Sequence, residues 1–521
     1  MGEPKAIYGQ IGKAVVVIML LTVLDKILAL VKEMLIAYHF GLSPSLDAFN
    51  VAFAIPTTII LYFTAAFSMA FTPLYLEWSN DLSPQEADDH ARSIFYYSAV
   101  FFAALALIGS FLSYVIFPVL GYGLGPREKE LGGSIERLLM FLLVLDGGGI
   151  FLASLLFAQK RFFSLYFSRI FVNATIVVFV AVGFHYGIYA LVWGVLLGTF
   201  FKFTYMAGGL HHAGFHFFGK LKFDRQKFSS LMWLALPLLG SELIANSNML
   251  IDTVMVTQLP PGSVSTLRYA YRINDLPIQI VIMSISRAIF PFISSQAIEK
   301  DYEGLRWVFK HSVTLLGLIT LPLISLIALF SHDVVAILLE RGAFDSFATQ
   351  QTAETLVCYG VGLFFASYAF VNGAFFSALK DTKPLLYLGF LSMLLNIAFN
   401  FIFMRFMGVK GVALSTSATL AIVCTIFSIM LKNRLKIESL SDTLLNLLRI
   451  SIASACMFLF GLLCEHYIQI PQINRVINLS IKAAPVIGCY ALLLWVMKIK
   501  GPESGWRSLG KVFARSGKQE A

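Results

Sequence analysis

The sequence predicts an all-α polytopic membrane protein of about fourteen transmembrane helices, arranged as two homologous six-span lobes with two C-terminal spans appended. Three observations carry this. The 521 residues are 58% hydrophobic and only 13% charged, with a mean hydropathy of +0.78, whereas soluble domains carry about 25% charged residues. Apolar runs long enough to cross the hydrocarbon, which takes about 20 residues, recur along the whole chain. Two stretches some 220 residues apart echo one another.

By the window rule the spans fall near 13–39, 47–76, 92–120, 134–158, 163–185, 187–208, 228–256, 265–296, 307–331, 350–379, 384–404, 411–431, 446–467 and 479–497. The stretch from Ala14 to Pro73 organises the rest: two long apolar segments joined at Phe40-Gly41-Leu42-Ser43-Pro44-Ser45. The first carries Asp25, Lys26, Lys32 and Glu33 inside an otherwise apolar run, and the second opens on Asp47. Each ionised group at bilayer depth costs about 2.5–3.5 kcal/mol on insertion scales, so this helix is expected to line a polar interior. A plainer reading stands beside that one. Asp25 with Lys32, and Lys26 with Glu33, are seven residues apart on nearly one face and could pair within the helix.

The echo links Ala52-Phe53-Ala54-Ile55-Pro56 and Ala70-Phe71-Thr72-Pro73 in the second span to Tyr269-Ala270-Tyr271-Arg272, Asp275-Leu276-Pro277 and Ile289-Phe290-Pro291 in the eighth. Both copies run in the same direction, as in parallel repeats about an axis normal to the membrane. The expected domains are an N-terminal lobe over 1–222, a C-terminal lobe over 223–437, two helices over 438–500 and a tail over 501–521. Lys and Arg are concentrated in every second connection (Lys160, Lys220, Lys222, Lys300, Lys380, Lys432, Lys436) and in the tail. The positive-inside rule therefore puts both termini in the cytoplasm. Prolines at Pro56, Pro73, Pro237, Pro277 and Pro291, and Gly147-Gly148-Gly149 after Asp146, mark flexible points; a transporter and an ordinary bundle both use such kinks.

Several classes are excluded. The net charge of +9 is scattered through short loops and the tail, so no compact basic domain for nucleic acid exists. The five cysteines lie mostly in apolar segments without paired spacing, as small core residues do. No P-loop, zinc spacing or catalytic signature occurs, so neither nucleotide hydrolysis nor a metal enzyme is expected. The first span is too long and too charged for a cleavable signal.

Two constellations remain. In the second lobe Arg268 and Arg272 share one helix face, with Asp275 three residues on and Glu242, Asp252 and Arg287 nearby in sequence. Lys26 and Lys32 in one lobe and Arg268 and Arg272 in the other would clamp an anionic substrate, Arg by a bidentate fork and Lys as a point charge. Alternatively Arg272 pairs with Asp275 or Glu242 and fixes packing. The second set is rich in oxygen: Asp252, Asn396, Asn400, Ser415, Thr416 and Ser417. Such ligands suit a hard cation such as Na⁺, though interhelical hydrogen bonding is the commoner use of these residues.

Leu46-Asp47-Ala48-Phe49-Asn50-Val51-Ala52-Phe53-Ala54-Ile55-Pro56, Ala66-Phe67-Ser68-Met69-Ala70-Phe71-Thr72-Pro73, Gly262-Ser263-Val264-Ser265, Arg341-Gly342-Ala343-Phe344, Asp381-Thr382-Lys383-Pro384 and Gly411-Val412-Ala413-Leu414-Ser415-Thr416-Ser417 together resemble the bacterial lipid II flippase family (MurJ/MviN). The resemblance covers essentially the whole chain. It implies the multidrug/oligosaccharidyl-lipid/polysaccharide exporter fold, two six-helix lobes around a central cavity plus two helices forming a lipid groove. The implied activity is translocation of undecaprenyl-diphosphate-linked peptidoglycan precursor from the inner to the outer leaflet of the cytoplasmic membrane, with no cofactor or nucleotide. The family's cavity cations match Lys26, Lys32 and Arg272, and its early cavity Asp matches Asp47. Asp25, Glu33 and Asp47 would then be acidic partners of the substrate-binding Lys26, Lys32, Arg268 and Arg272. A sodium site of some members matches Asp252, Asn396, Asn400, Val412 through its carbonyl, and Thr416.

Two departures stand out. The family's second span commonly carries an Arg-Arg pair and Glu-Gly, whereas Thr57 to Ala65 here is uncharged; Arg268 could replace the lost cation. Asn400 stands where a carboxylate is expected. Other readings are an exporter of a different polyprenyl-linked glycan or amphipathic solute, a membrane-embedded glycosyltransferase or ligase, and a non-transporting scaffold. The short outside loops speak against the enzyme.

Overall fold

The computed structural model describes residues 3–222, 224–381, 383–467 and 474–497, with side chains from residue 17 onward apart from 84, 237, 241 and 245. The expected tail over 501–521, residue 382 of the 381–384 run and the side chain of Pro237 lie outside these. The described residues form helices and no strand. In order they are α1 (Glu3–Phe40), α2 (Pro44–Asp81), α3 (Pro84–Leu120), α4 (Pro126–Leu139), α5 (Leu142–Ala158), α6 (Phe162–Val182), α7 (Ile188–His211), α8 (Arg225–Val256), α9 (Ser263–Pro277), α10 (Met283–Ile298), α11 (Tyr302–Leu339), α12 (Ser346–Val361), α13 (Leu363–Ala378), α14 (Lys383–Met407), α15 (Val409–Arg434), α16 (Ser441–Tyr467) and α17 (Arg475–Val496).

Eleven of these helical stretches are long and apolar enough to cross a membrane, or up to thirteen if two bent pairs each count as one crossing. The sequence suggests about fourteen; the first expected span, in α1, does not enter that count.

Local chemistry explains the breaks. Ser43 and Ser83 cap α2 and α3 with their hydroxyls, each followed by a proline at the first helical position, where its missing N–H costs nothing. Pro277 ends α9 and a π-helical segment, Ile278–Ile282, leads into α10, so the expected eighth span is one interrupted helix. The bend of 43° between α12 and α13 sits at Gly362. There the Gly362 N–H turns to the Tyr359 carbonyl, and the Ser417 hydroxyl donates to the Cys358 carbonyl at 2.7 Å. A side chain inserted into the helical ladder is a recognised cause of a kink.

The chain divides into two compact units, Met1–Ser265 with Leu339–Asp345, and Thr266–Leu338 with Ser346–Ala521. In the first, Phe71, Tyr75 and Trp78 of α2 pack with Ile94 of α3, Phe151 and Leu155 of α5, and Met206 and Leu210 of α7. The loop after α7 is strapped to α3. The guanidinium of buried Arg92 donates to the His216 carbonyl at 2.6 Å and pairs with Asp89 at 2.7 Å. The second unit is built around Leu305, Phe309, Phe375, Phe376, Phe427 and Leu431. A smaller cluster joins Phe330 of α11 to Met457 of α16 and Val486 and Tyr490 of α17. The boundary expected near residue 222 comes from sequence repeats, which packing does not address.

Candidate functional site

In α1, Lys32 pairs with its neighbour Glu33 at 3.2 Å, both side chains mostly buried (12% and 14% exposed). Asp25 Oδ1 accepts from the Asn173 amide of α6 at 2.8 Å. Asp25 therefore meets a neutral amide of a neighbouring helix, and its expected pairing with Lys32 does not form. Lys26 is half-buried beside it.

Asp47 is the most completely engaged of the sequence-predicted residues. It is 1% exposed, and its carboxylate accepts from the Gly262 N–H at 2.6 Å, the Ser265 N–H at 2.8 Å and the Ser265 hydroxyl at 2.6 Å. Asn50, one turn along α2, donates to the same Ser265 hydroxyl oxygen at 3.2 Å. Charge-assisted bonds to fixed backbone amides are the cheapest way to hold a carboxylate out of water. Its partners are thus a backbone turn, where an acidic neighbour of the cavity cations was expected.

The α1–α2 turn is gripped a second time. The Ala343 N–H donates to the Tyr38 carbonyl at 2.8 Å. A Cβ on Gly41 would sit 2.2 Å from the Ala343 carbonyl oxygen, and one on Gly342 2.4 Å from that of Tyr38. Both glycines have φ near +50° to +60°, where other residues are strained. The Arg341-Gly342-Ala343-Phe344 run is thereby explained as a docking loop of the first unit.

One ionic feature escaped the sequence reading. Asp146 of α5 forms a short ion pair with Lys202 of α7, each about one-fifth exposed. The signal was available: Asp146 is the only acid in the apolar 142–158 stretch and Lys202 the only lysine or arginine in 188–211, and each implies a partner.

In the second unit Arg268 and Arg272 lie one turn apart on α9, both half-buried, and the Gln279 amide donates to Asp275 at 2.6 Å. Arg287 on α10 is exposed. Glu242, on α8 of the first unit, accepts from Asn246 at 2.8 Å.

The α14–α15 residues of the expected sodium set are hydrogen-bonded to one another. Asn400 Nδ2 donates to Asn396 Oδ1 at 3.3 Å, and Ser415 Oγ makes a short bond to Asn400 Oδ1 and one of 2.8 Å to the Val412 carbonyl. Thr416 Oγ1 donates to that carbonyl at 3.3 Å. The oxygens of Asn396, Asn400 and Val412 accept from neighbouring donors, and these residues carry no negative charge. Asp252, the one carboxylate of the set, lies buried on α8 in the first unit. Among the described residues no cluster of three or more His, Cys, Asp or Glu could hold a metal.

The uncharged stretch of the second span is self-contained. Thr57 and Thr64 hydroxyls donate back to the carbonyls of Phe53 at 2.6 Å and Ile60 at 2.7 Å, and Tyr62 bonds Ser247 of α8 at 3.2 Å. Nothing there replaces the charged pair that the resemblance leads one to expect.

Known proteins settle the kinship. Residues 36–477 match the model of the family described as lipid II flippase MurJ. The chain belongs to the lipid II flippase MurJ family. The MurJ relatives include the probable lipid II flippase MurJ of Borreliella burgdorferi, 27% identical over 428 residues, covering 81% of this chain and 84% of the relative. That of Buchnera aphidicola subsp. Acyrthosiphon pisum is 25% identical over 480 residues, covering 90% and 93%. The fold is shared with a solved lipid II flippase MurJ in an inward closed conformation, with a TM-score of 0.79 at 24% identity over 92% of this chain and 98% of that one. An inward-facing multidrug resistance MATE-family transporter of the MOP superfamily also shares it, with a TM-score of 0.68 at 15% identity over 80% and 96%. The protein is thus a multi-pass membrane protein of a transporter family, not an enzyme.

Proposed function

We propose that this chain translocates lipid II, the undecaprenyl-diphosphate-linked peptidoglycan precursor, across the bacterial cytoplasmic membrane by alternating access, with both termini cytoplasmic. The observation that carries this reading is the family match over residues 36–477, which spans both contact units. Lys26, Lys32, Arg268 and Arg272 bind the diphosphate, Arg by its bidentate fork and Lys as a point charge. Glu33 holds Lys32 between transport events, and Asp25 with Asn173 keeps that stretch of α1 against α6. Asp47 is reassigned from cation partner to a closure on the outside: its three bonds hold the 262–265 turn against the start of α2, and outward opening must break them. No step is routed through sodium.

A second reading rests on a specific observation. The self-bonded threonines at Thr57 and Thr64 leave the second span without the family's charges, which favours an altered head group or a non-transporting scaffold. Complementation decides. A bacterium whose own lipid II flippase is shut off is expected to grow with the wild-type chain and to fail with well-expressed Arg272→Ala or Lys32→Ala. No rescue by well-inserted wild type rejects lipid II transport. Rescue by all three keeps the transport and rejects the cation assignment.

A further inference from the structure

Among the described residues, four that are not glycine adopt a left-handed backbone, and all four are lysines: Lys160, Lys300, Lys380 and Lys436, with φ between 51° and 59°. Each follows the end of a helix, α5, α10, α13 or α15, as the residue that closes it. The next residue's N–H reaches back to the carbonyl five positions earlier, as in Arg161 to Leu156 at 2.9 Å and Asp301 to Gln296 at 2.9 Å. Asp381 to Phe376 and Ile437 to Lys432, both at 3.0 Å, repeat the pattern. This is the closure in which glycine is by far the usual residue, because a Cβ is strained there.

Elsewhere the chain places glycine at positive φ, though Gly187 and Gly408, with ψ of −140° and −134°, occupy a different region that essentially only glycine reaches. Gly41, Gly187, Gly262, Gly342 and Gly408 have positive φ, and all five fall in connections assigned to the outside. On the inside only Gly214, in the long loop after α7, does so among the described residues. Lysine thus takes the left-handed helix-closing position at four connections assigned to the inside.

Helix closure itself does not require the charge, since Gly41 closes α1 without it. Nor does the protein use it: all four lysines are exposed, and none of the ammonium groups makes a hydrogen bond or ion pair with a described residue. In the second unit three of the turns are stitched together at one end. Arg306 at the start of α11 donates to the Leu435 carbonyl at 2.7 Å, beside Lys436, and Arg434 pairs at 3.3 Å with Asp381, beside Lys380. Lys300 lies just before α11 in the same cluster.

We propose that these left-handed lysines are a binding surface for anionic phospholipid headgroups of the cytoplasmic leaflet, with Lys300, Lys380 and Lys436 as its built cluster. A short helix-closing turn holds the ammonium at headgroup depth, where the surface potential of anionic lipid favours each cation, and the negative end of the helix adds to the attraction for lysine. The proposal rests on the orientation stated above.

The test is thermal unfolding of the purified full chain in nanodiscs of phosphatidylcholine with and without phosphatidylglycerol. Wild type is expected to gain stability from phosphatidylglycerol, and high salt is expected to remove the gain. The combined variant Lys300→Gly, Lys380→Gly, Lys436→Gly is expected to be at least as stable as wild type in pure phosphatidylcholine, where glycine relieves the backbone, and to lose most of the phosphatidylglycerol gain. The corresponding Lys→Arg variant is expected to keep it. Full retention of the gain by the glycine variant overturns the proposal, as does an equal gain of wild type from inorganic phosphate. Nanodiscs expose both faces, so this readout is independent of orientation. A Lys300→Cys variant, in a background without the five native cysteines, tests the orientation separately with a membrane-impermeant maleimide. Labelling in lysed but not intact cells supports the cytoplasmic leaflet, and labelling in intact cells overturns it.

Discussion

Two buried polar clusters meet the same problem with opposite chemistry. Around Asp47 a full negative charge, 1% exposed, is met by two backbone amides and one hydroxyl supplied by a turn more than 200 residues away. In the α14–α15 cluster, amide, hydroxyl and carbonyl groups bond one another within 20 residues of sequence. The anionic cluster depends on a distant loop being in place, so it behaves as a latch. The bonds of the neutral cluster given above join two adjacent helices, and it behaves as packing. Losing one partner of a buried charge is severe, whereas losing one member of a neutral network is milder.

The comparison predicts an order of effects. Asp47→Ala strands three donors and is expected to cost about 3 kcal/mol of stability, read as a lowered thermal midpoint in detergent; Asp47→Asn, which keeps an acceptor, is expected to lie between. A midpoint unchanged by Asp47→Ala would erase the distinction drawn here. The Asp146–Lys202 pair comes next. Asp146→Asn and Lys202→Met are each expected to destabilise, and the double variant to cost less than their sum, by about 1–2 kcal/mol of coupling. Additive losses would show that the two side chains act separately.

A smaller effect sharpens the neutral cluster. Wild-type stability is expected to be the same in sodium and potassium salts, while Asn400→Asp, which adds a carboxylate, is expected to make the thermal midpoint rise with sodium. A sodium-dependent rise in wild type would restore the ion site. The smallest effect is at the surface. Asp224 caps α8, and the backbone N–H groups of Lys227 and Gln226 hold its carboxyl below the usual carboxylate range. A depressed folded value adds stability above the ordinary pKa, about 3.9, and that stability fades as pH falls through the folded value. Asp224→Ala is therefore expected to differ from wild type near neutral pH and to converge with it in strong acid. A difference independent of pH would rule out the carboxylate.

The legible and illegible parts of the site divide on the same line. The charged first span, the Asn396–Asn400 spacing and the Arg268–Arg272 face were readable, because helical periodicity places residues three and four apart without further information. That Asp25 would meet Asn173 and that Asp47 would hold Gly262 and Ser265 was not readable, since each partner lies on a distant stretch of chain. The Arg341-Gly342-Ala343-Phe344 run could be noticed as a motif, but only its contact with Tyr38 and Gly41 explains the glycine.

The sequence by itself determined the class of protein, the approximate set of membrane crossings and the family. Hydropathy and helix periodicity act locally and sum along the chain, so they need no knowledge of neighbours. The tertiary structure decided which buried charges meet amides, which meet opposite charges and which polar groups satisfy each other. Desolvation makes an unmatched group at depth costly, but it does not say which of several distant donors will match it. That choice is made by helix packing and by the few turns whose backbone is held in place.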